Sequence, residues 1–266
     1  MDDAYFAVLS ETANGGRYAA TGHTAGPWAA HLQHGGPPNA LAVRAAERAI
    51  ADETGRNDLI ALRLSADFVG PVPVAELTAR THIIRAARSA ALVEVTLSAD
   101  GRDCLLARVW FVRSADTTSI AQHSIPPVAV PAESNELDYQ FGYGASLDWR
   151  FVSGRMGVPG PAAAWVSPTM PLLDGYDFSS LARAVLIADS ASGISAELDW
   201  NTWSFLNVDL DVHLARPVVG DALYMDAVTQ LGPDGSALAR STLSDARGVV
   251  GAGLQTLVLA PIRPPS

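Results

Sequence analysis

Hydrophobic and polar positions alternate along most of the chain, and two Ala- and Leu-rich stretches interrupt this alternation. The first stretch follows the run His34-Gly35-Gly36-Pro37-Pro38 and continues to Ala51. Its positions Leu41, Ala45 and Ala49 are spaced as on one face of a helix, and prolines are tolerated in the first helical turn. We therefore predict a long helix that begins beside the two glycines.

The second stretch, residues 179–193, is almost continuously apolar. Ser179 or Ser180 can cap the start of a helix, and Gly193 can end it. A helix of this composition is covered on most sides by other elements. Asp189 lies near its C-terminal end, and burying a carboxylate without a partner is costly. Asp189 is therefore exposed, partnered or functional.

The alternating segments predict antiparallel strands. A hairpin within residues 5–30 precedes the first helix, and Asp100-Gly101 marks a turn between two further strands. The predicted strands are 59–68, 74–84, 91–97, 104–112, 147–153, 162–166, 205–214, 222–231, 237–243 and 249–259.

The order of these elements repeats in the two halves of the chain. Pro71 precedes Asp100 by 29 residues, and Pro217 precedes Asp245 by 28. This spacing indicates an internal duplication. We predict an α+β protein with an N-terminal unit at 1–113, a linker rich in Ser, Pro and acidic residues at 114–146, and a C-terminal unit at 147–266.

Composition narrows the class of protein. A formal charge of −10 argues against a general nucleic-acid or anionic-membrane surface. Cys104 is the single cysteine, which excludes an internal disulfide and suits a reducing compartment. It lies in an apolar strand and is predicted to be a buried structural thiol. The N-terminus lacks a signal-peptide pattern, and no apolar run is long enough to span a bilayer, so we expect a soluble cytoplasmic protein.

Three motifs carry a resemblance to a known family. They are His34-Gly35-Gly36 before an Ala/Leu-rich helix, Ala188-Asp189 in the second helix, and a strand over 207–217 that ends in Arg-Pro. In this order on a duplicated scaffold, over residues 15–260, they resemble the acyl-CoA thioesterase II family and the thioesterase-like proteins common in actinobacteria. The resemblance implies a double hotdog, two tandem units that each wrap a long helix in an antiparallel sheet.

The resemblance also implies a function, the hydrolysis of an acyl-CoA thioester to free acid and CoA. The family's catalytic aspartate falls on Asp189, its glutamine on Gln255 and its water-binding Thr or Ser on Asn207. An asparagine can still hold a water, because it has both a donor and an acceptor. Asp189 would act as general base on that water or attack the thioester directly to give an anhydride, and the sequence leaves both routes open.

The glycines at the start of the first helix supply the second half of the expected chemistry. A backbone N–H of Gly35 or Gly36 suits the developing oxyanion, since glycine permits close approach and the helix dipole favours negative charge there. His34 either contacts the substrate or has a structural role, which is the more frequent role of a loop histidine with no Cys or carboxylate partner. The acyl-CoA substrate is the expected partner, no cofactor or metal is expected, and a homo-oligomer stays open.

Other interpretations remain at this stage. Hotdog hydratases and a non-catalytic acyl-CoA-binding module share the implied fold, although the hydratase-type Gly-Asp-x-Asn-Pro segment is absent. Asp209, Asp211 and His213 alternate on one strand, which fits a metal site or, more simply, a solvated strand face. Arg216 either binds a CoA phosphate or braces a turn. Trp200 and Trp203 line an acyl slot or pack between the halves.

Overall fold

Thirteen strands form one sheet in the computed structural model, which describes residues 3–122, 126–135, 137 and 140–262. The strands are β1 (Phe6–Thr12), β2 (Gly15–Ala20), β3 (Leu59–Phe68), β4 (Glu76–Ala86), β5 (Ala90–Ala99), β6 (Arg102–Arg113), β7 (Leu147–Ser153), β8 (Ala162–Pro168), β9 (Trp203–Asn207), β10 (Asp209–Leu214), β11 (Leu223–Leu231), β12 (Ser236–Asp245) and β13 (Gly248–Pro261). The α-helices are α1 (Gly36–Thr54), α2 (Gly142–Ala145), α3 (Ser180–Ala188) and α4 (Ala191–Ile194), and short 3-10 turns cover Gly22–Thr24 and Thr118–Ile120.

The strand order confirms the predicted duplication. Across the sheet the order is β1-β2-β4-β5-β6-β3-β10-β13-β12-β11-β8-β7, and β9 pairs with the far end of β13. From the outer edge inward, β1, β2, β4, β5, β6 and β3 of the first half correspond to β7, β8, β11, β12, β13 and β10 of the second. The two half-sheets join where β3 pairs antiparallel with β10. This is the double arrangement of helix and wrapping sheet expected from the sequence.

The two long helices contact each other on the inner side of the sheet. Leu41, Ala45 and Ala49 of α1 are buried, as their helical spacing predicts. All but Ser180 and Arg183 of the nine residues of α3 are buried, so its apolar composition reflects coverage on nearly every side. Among the described residues, no helix is long and apolar enough to cross a membrane.

One predicted strand is divided in two. The expected strand over 205–214 breaks at Val208, whose N–H donates to Thr256 O at 3.0 Å and whose O accepts from Phe68 N–H at 2.8 Å. The first piece, β9, pairs with Leu257–Pro261 of β13, and the second, β10, pairs with Gly251–Leu254. The break changes the direction of the chain immediately after Asn207.

The segment between the halves also carries structure. Residues 123–125, 136 and 138–139 of the predicted linker lie outside the described residues. Near its end, α2 packs beside the 3-10 turn of the first half, and Tyr143 N–H donates to Ala25 O at 3.0 Å. Tyr143 is fully buried. The end of this segment therefore belongs to the core, while the boundaries 1–113, 114–146 and 147–266 stay a prediction.

Candidate active site

Asp189 lies at the C-terminal end of α3, where the chain leaves the helix. Ser179 caps the other end as predicted, its Oγ accepting from Ala182 N–H at 3.2 Å. The helix ends at Ala188, so the prediction that Gly193 ends it is wrong. Gly193 lies instead within the short helix α4.

Gln255 explains this early end, because its side-chain amide enters the helix backbone. Its Nε2 donates to the backbone O of Asp189 at 3.0 Å, and its Oε1 accepts from Ser192 N–H at 3.1 Å. Both backbone groups would otherwise be unpaired at the helix break, which costs free energy in a buried position. Gln255 is itself buried. It lies on β13 and so fixes the end of α3 against the sheet.

Asn207 reaches the same carboxylate from the strand break. Its Nδ2 donates to Asp189 Oδ1 at 2.8 Å and to Asp209 O at 3.1 Å. The Asp209 carboxylate accepts from Thr256 N–H and from Thr256 Oγ1–H, which holds the first residue of β10 against β13. The break thus directs the Asn207 side chain toward the helix end.

Three polar side chains surround the Asp189 carboxylate, which is 3% exposed. Oδ1 accepts from Asn207 Nδ2 and, at 3.2 Å, from Gln255 Nε2. Oδ2 lies 3.0 Å from His34 Nδ1. The structure therefore brings together the residues that the sequence singled out, and Asp189 is partnered rather than exposed.

The two glycines at the start of α1 approach this carboxylate closely. A Cβ on Gly35 would lie 2.7 Å and 2.9 Å from the two carboxylate oxygens of Asp189, and a Cβ on Gly36 would collide with Leu186 O. Because Pro37-Pro38 lacks N–H groups, the two glycines supply the N–H groups at this helix end. Gly35 lines the adjoining cavity, whereas Gly36 is not among the residues that line it.

Tyr143 is a site residue that the sequence analysis missed. Its ring stacks on His34, with ring centroids 3.8 Å apart and planes 8° apart. Its hydroxyl donates to Leu186 O at 2.6 Å and lies 2.8 Å from Ser190 Oγ. Burial raises the pKa of the Tyr143 phenol well above its ordinary value, so the hydroxyl is a neutral donor. The signal available in the sequence is an aromatic residue flanked by glycines at the end of a polar segment.

A cavity of about 430 Å³ opens beside the carboxylate and is lined by residues of both halves. Trp28 stacks on Trp200 with centroids 5.6 Å apart, and Phe205 packs edge-on against both rings. Trp200 therefore lines the cavity, as the acyl-slot interpretation predicted. Trp203 is not among the lining residues. The ionisable side chains on the described wall are Asp189, His34 and Tyr143. The wall residues are Gly26, Pro27, Trp28, Ala29, Leu32, Gln33, His34, Gly35, Phe68, Gly70, Pro71, Val72, Phe141, Tyr143, Met156, Asp189, Ser190, Ser192, Gly193, Trp200, Phe205, Leu206, Asn207, Val208 and Val258.

Arg216 braces a turn. Its guanidinium donates through both terminal nitrogens to the carboxylate of Asp245, which is fully buried and also accepts from the backbone N–H groups of Val219 and Arg247. Burial alone would raise the pKa of Asp245, but these donors hold it below its ordinary value. The pair ties the end of β10 to the β12–β13 turn.

The remaining candidates have structural surroundings. Asp211 pairs with Arg63 at 3.1 Å, and Asp209 binds Thr256 as described above. Within the described part of the chain, no three His, Cys, Asp or Glu side chains are grouped so as to hold a metal ion. Cys104 is buried, and burial raises the pKa of its thiol.

Solved structures share this fold along nearly their whole length. A conserved protein of unknown function with a hot dog fold from Alicyclobacillus acidocaldarius has a TM-score of 0.76 at 16% identity, covering 99% of this chain and 98% of its own. The acyl-CoA thioesterase II TesB2 of Mycobacterium marinum has a TM-score of 0.71 at 14% identity, covering 97% and 96%. The tesB protein of Mycobacterium avium subspecies paratuberculosis has a TM-score of 0.70 at 15% identity, covering 96% of each chain.

These identities are low, so the similarity establishes the double hotdog fold alone. No curated protein matches the sequence. Family models match both halves: the acyl-CoA thioesterase N-terminal domain covers residues 24–112, and the acyl-CoA thioesterase C-terminal domain covers residues 123–259. Because these models match both halves of the chain on this fold, the chain belongs to the acyl-CoA thioesterase family.

Proposed function

We propose that the protein hydrolyses an acyl-CoA thioester to the free acid and CoA at the cavity beside Asp189. The observation that carries this proposal is the buried Asp189 carboxylate, surrounded by polar side chains from both halves next to the glycine N–H groups of α1. A mostly apolar cavity with a few convergent polar groups is the usual form of a binding or active site. The family match supports the substrate class.

The cavity suits the acyl part of such a substrate. Its wall is mostly apolar and aromatic, and its volume is within the range of ligand pockets. The described wall holds no arginine, and the chain has no lysine. The phosphates of CoA therefore lie outside the cavity, and the acyl group and thioester lie inside. The single buried Cys104 supports a reducing compartment such as the cytoplasm.

Each polar group then has a role in the reaction. The Asn207 amide donates to Asp189 and to Asp209 O, which leaves its Oδ1 to accept from a water in the cavity. That water attacks the thioester carbon as it gives a proton to a basic side chain of the site, and the electron pair of the carbonyl moves to its oxygen. The Gly35 N–H at the positive end of α1 stabilises this oxyanion. Collapse of the intermediate breaks the C–S bond, and the departing thiolate takes up that proton and leaves as the thiol.

The test measures the hydrolysis of short-chain, medium-chain, long-chain and aryl acyl-CoAs through the free thiol that is released. We expect the wild type to hydrolyse at least one of them and Asp189→Ala to lose at least 100-fold in kcat/KM. Asp211→Ala is the matched control, because Asp211 lies on the outer side of β10 and pairs with Arg63. It is expected to keep wild-type activity. Thermal unfolding of each variant shows that the fold is intact.

The other candidate functions give different results in the same experiment. A binding module releases no thiol, although acyl-CoA quenches the fluorescence of the tryptophans at the cavity. A hydratase consumes the conjugated double bond of an enoyl-CoA and also releases no thiol. Either result overturns the hydrolase proposal, whereas full activity in Asp189→Ala overturns the role of Asp189 and leaves the hydrolase function standing.

A further inference from the structure

His34 is held more tightly than a residue that only contacts substrate requires. Its ring lies flat on Tyr143, its Nδ1 is 3.0 Å from Asp189 Oδ2, and its side chain is 14% exposed. Its Nε2 has no hydrogen-bond partner among the described residues and is not enclosed. Because His34 also lines the cavity, this nitrogen is open to a water or ligand there.

Two groups compete for Nδ1 of this ring. Gly36 N–H donates to Nδ1 at 3.2 Å, which requires an unprotonated Nδ1, whereas Asp189 Oδ2, 3.0 Å away, could accept only from a protonated one. An ionised carboxylate only accepts, so an unprotonated Nδ1 would place two lone pairs 3.0 Å apart. A hydrogen bond to a charged acceptor is roughly twice as strong as one between neutral groups. The hydrogen bond to Asp189 is therefore the stronger of the two, and we assign the proton to Nδ1.

We propose that His34 is the general base of the reaction and that Asp189 is its orienting partner. This rests on the proposed hydrolase function. With the proton on Nδ1, the lone pair of Nε2 faces the cavity. It takes a proton from the attacking water as the new C–O bond forms at the thioester carbon. The imidazolium then gives that proton to the departing thiolate as the C–S bond breaks.

The surroundings of Asp189 fit an orienting role better than a nucleophilic one. Both of its oxygens already face donors: Asn207 and Gln255 at Oδ1, and His34 at Oδ2. Its side chain is 2% exposed, so little of the carboxylate is open to a thioester carbon in the cavity. A carboxylate held in this way fixes the imidazole tautomer and stabilises the imidazolium that forms. The base comes from the first half of the chain and the carboxylate from the second.

The decisive readout is the dependence of kcat/KM on pH. Asp189 and Tyr143 are the ionisable groups that face His34 from the elements packed against it. In the wild type we expect the rate to fall on the acid side as the imidazole gains its second proton. In His34→Asn, whose amide can still donate to Asp189, we expect a loss of about 10²–10⁴-fold and no such acid limb. His31→Gln, at an exposed position of the same loop, is the matched control and keeps the wild-type profile.

Chemical rescue separates a base from a packing residue. Added imidazole is expected to raise the activity of His34→Ala at least tenfold, because it can occupy the space of the missing ring. It is expected to leave Asp189→Ala inactive. If the wild type is active and His34→Asn still shows the acid limb, with kcat/KM within tenfold of the wild-type value, His34 is not the base. If the wild type hydrolyses no acyl-CoA, the hydrolase function itself fails.

Discussion

Gly35→Ala tests the contact between the start of α1 and the Asp189 carboxylate. Gly35 has φ −67° and ψ −21°, which alanine adopts without strain. The added methyl group is therefore the whole perturbation. It would lie 2.7 Å from Asp189 Oδ2, 2.9 Å from Oδ1 and 2.5 Å from the end of the Phe68 ring. The end of the Phe68 ring can move aside. The Asp189 carboxylate is held in place by its contacts with other polar side chains.

The size of the effect follows from these distances. Carbon–oxygen contacts settle at about 3.3 Å or more, so Asp189 Oδ2 must retreat by roughly 0.6 Å. Displacements of about 1 Å in a catalytic group cost on the order of 100-fold in rate. We therefore expect kcat/KM of Gly35→Ala to fall by about 10–100-fold. The melting temperature should change little, because the retreat disturbs a few polar contacts and leaves the core intact.

Gly193→Ala is the matched control at the same cavity. Its Cβ would lie 3.7 Å from the Trp200 ring, an ordinary contact distance, and Gly193 is already helical. Acyl-CoA hydrolysis and thermal unfolding would be measured for both variants. We expect Gly193→Ala to keep activity within about threefold of the wild type. Wild-type activity in Gly35→Ala, or equal losses in both variants, would refute the steric reasoning.

Three further predictions follow from single contacts. Asn207→Ala removes a donor to the Asp189 carboxylate, worth about 1.5–3 kcal/mol, so steady-state kcat/KM should fall about 10–100-fold. Tyr143→Phe keeps the aromatic stack and removes one hydroxyl, so urea unfolding should show a loss of about 1–3 kcal/mol. Asp245→Asn should cost about 3 kcal/mol in unfolding free energy at neutral pH, because it breaks the buried pair with Arg216. Since the folded pKa of Asp245 is lowered, that stabilisation is present above about pH 4 and lost as pH falls further, so the difference from wild type should shrink in acid.

The sequence predicted well those features that depend on local pattern. The helical spacing of Leu41, Ala45 and Ala49 and the capping by Ser179 are both confirmed, as is the duplication. Periodicity reports which face of an element is buried, and equal spacing of elements reports a repeat, without knowledge of distant contacts.

The errors arise where a distant side chain replaces a backbone partner. Nothing near Gly193 shows that Gln255, from the last strand, pairs with the backbone at Asp189 and ends the helix there. The strand over 205–214 reads as continuous for the same reason, since Thr256 supplies the partners that stabilise its break. Tyr143 was missed because a polar, Pro-rich segment indicates a linker by composition.

In the described part of the chain, the duplication gives one carboxylate site and not two. A comparison of α1 with α3 shows why. Asp189 lies nine positions after Ser180, the first residue of α3. The residue nine positions after Gly36, the first residue of α1, is Ala45. Ala45 is buried in a helix that continues without a break, so no carboxylate and no helix end occur there. At the start of α3, Ser179 caps the helix with its side chain, at the position where α1 has Gly35. The first half has the glycines at its helix start and the second half has the carboxylate, so neither half alone contains the whole candidate site. Because each part depends on its partner across the helix interface, a substitution that separates α1 from α3 removes activity even when both halves stay folded.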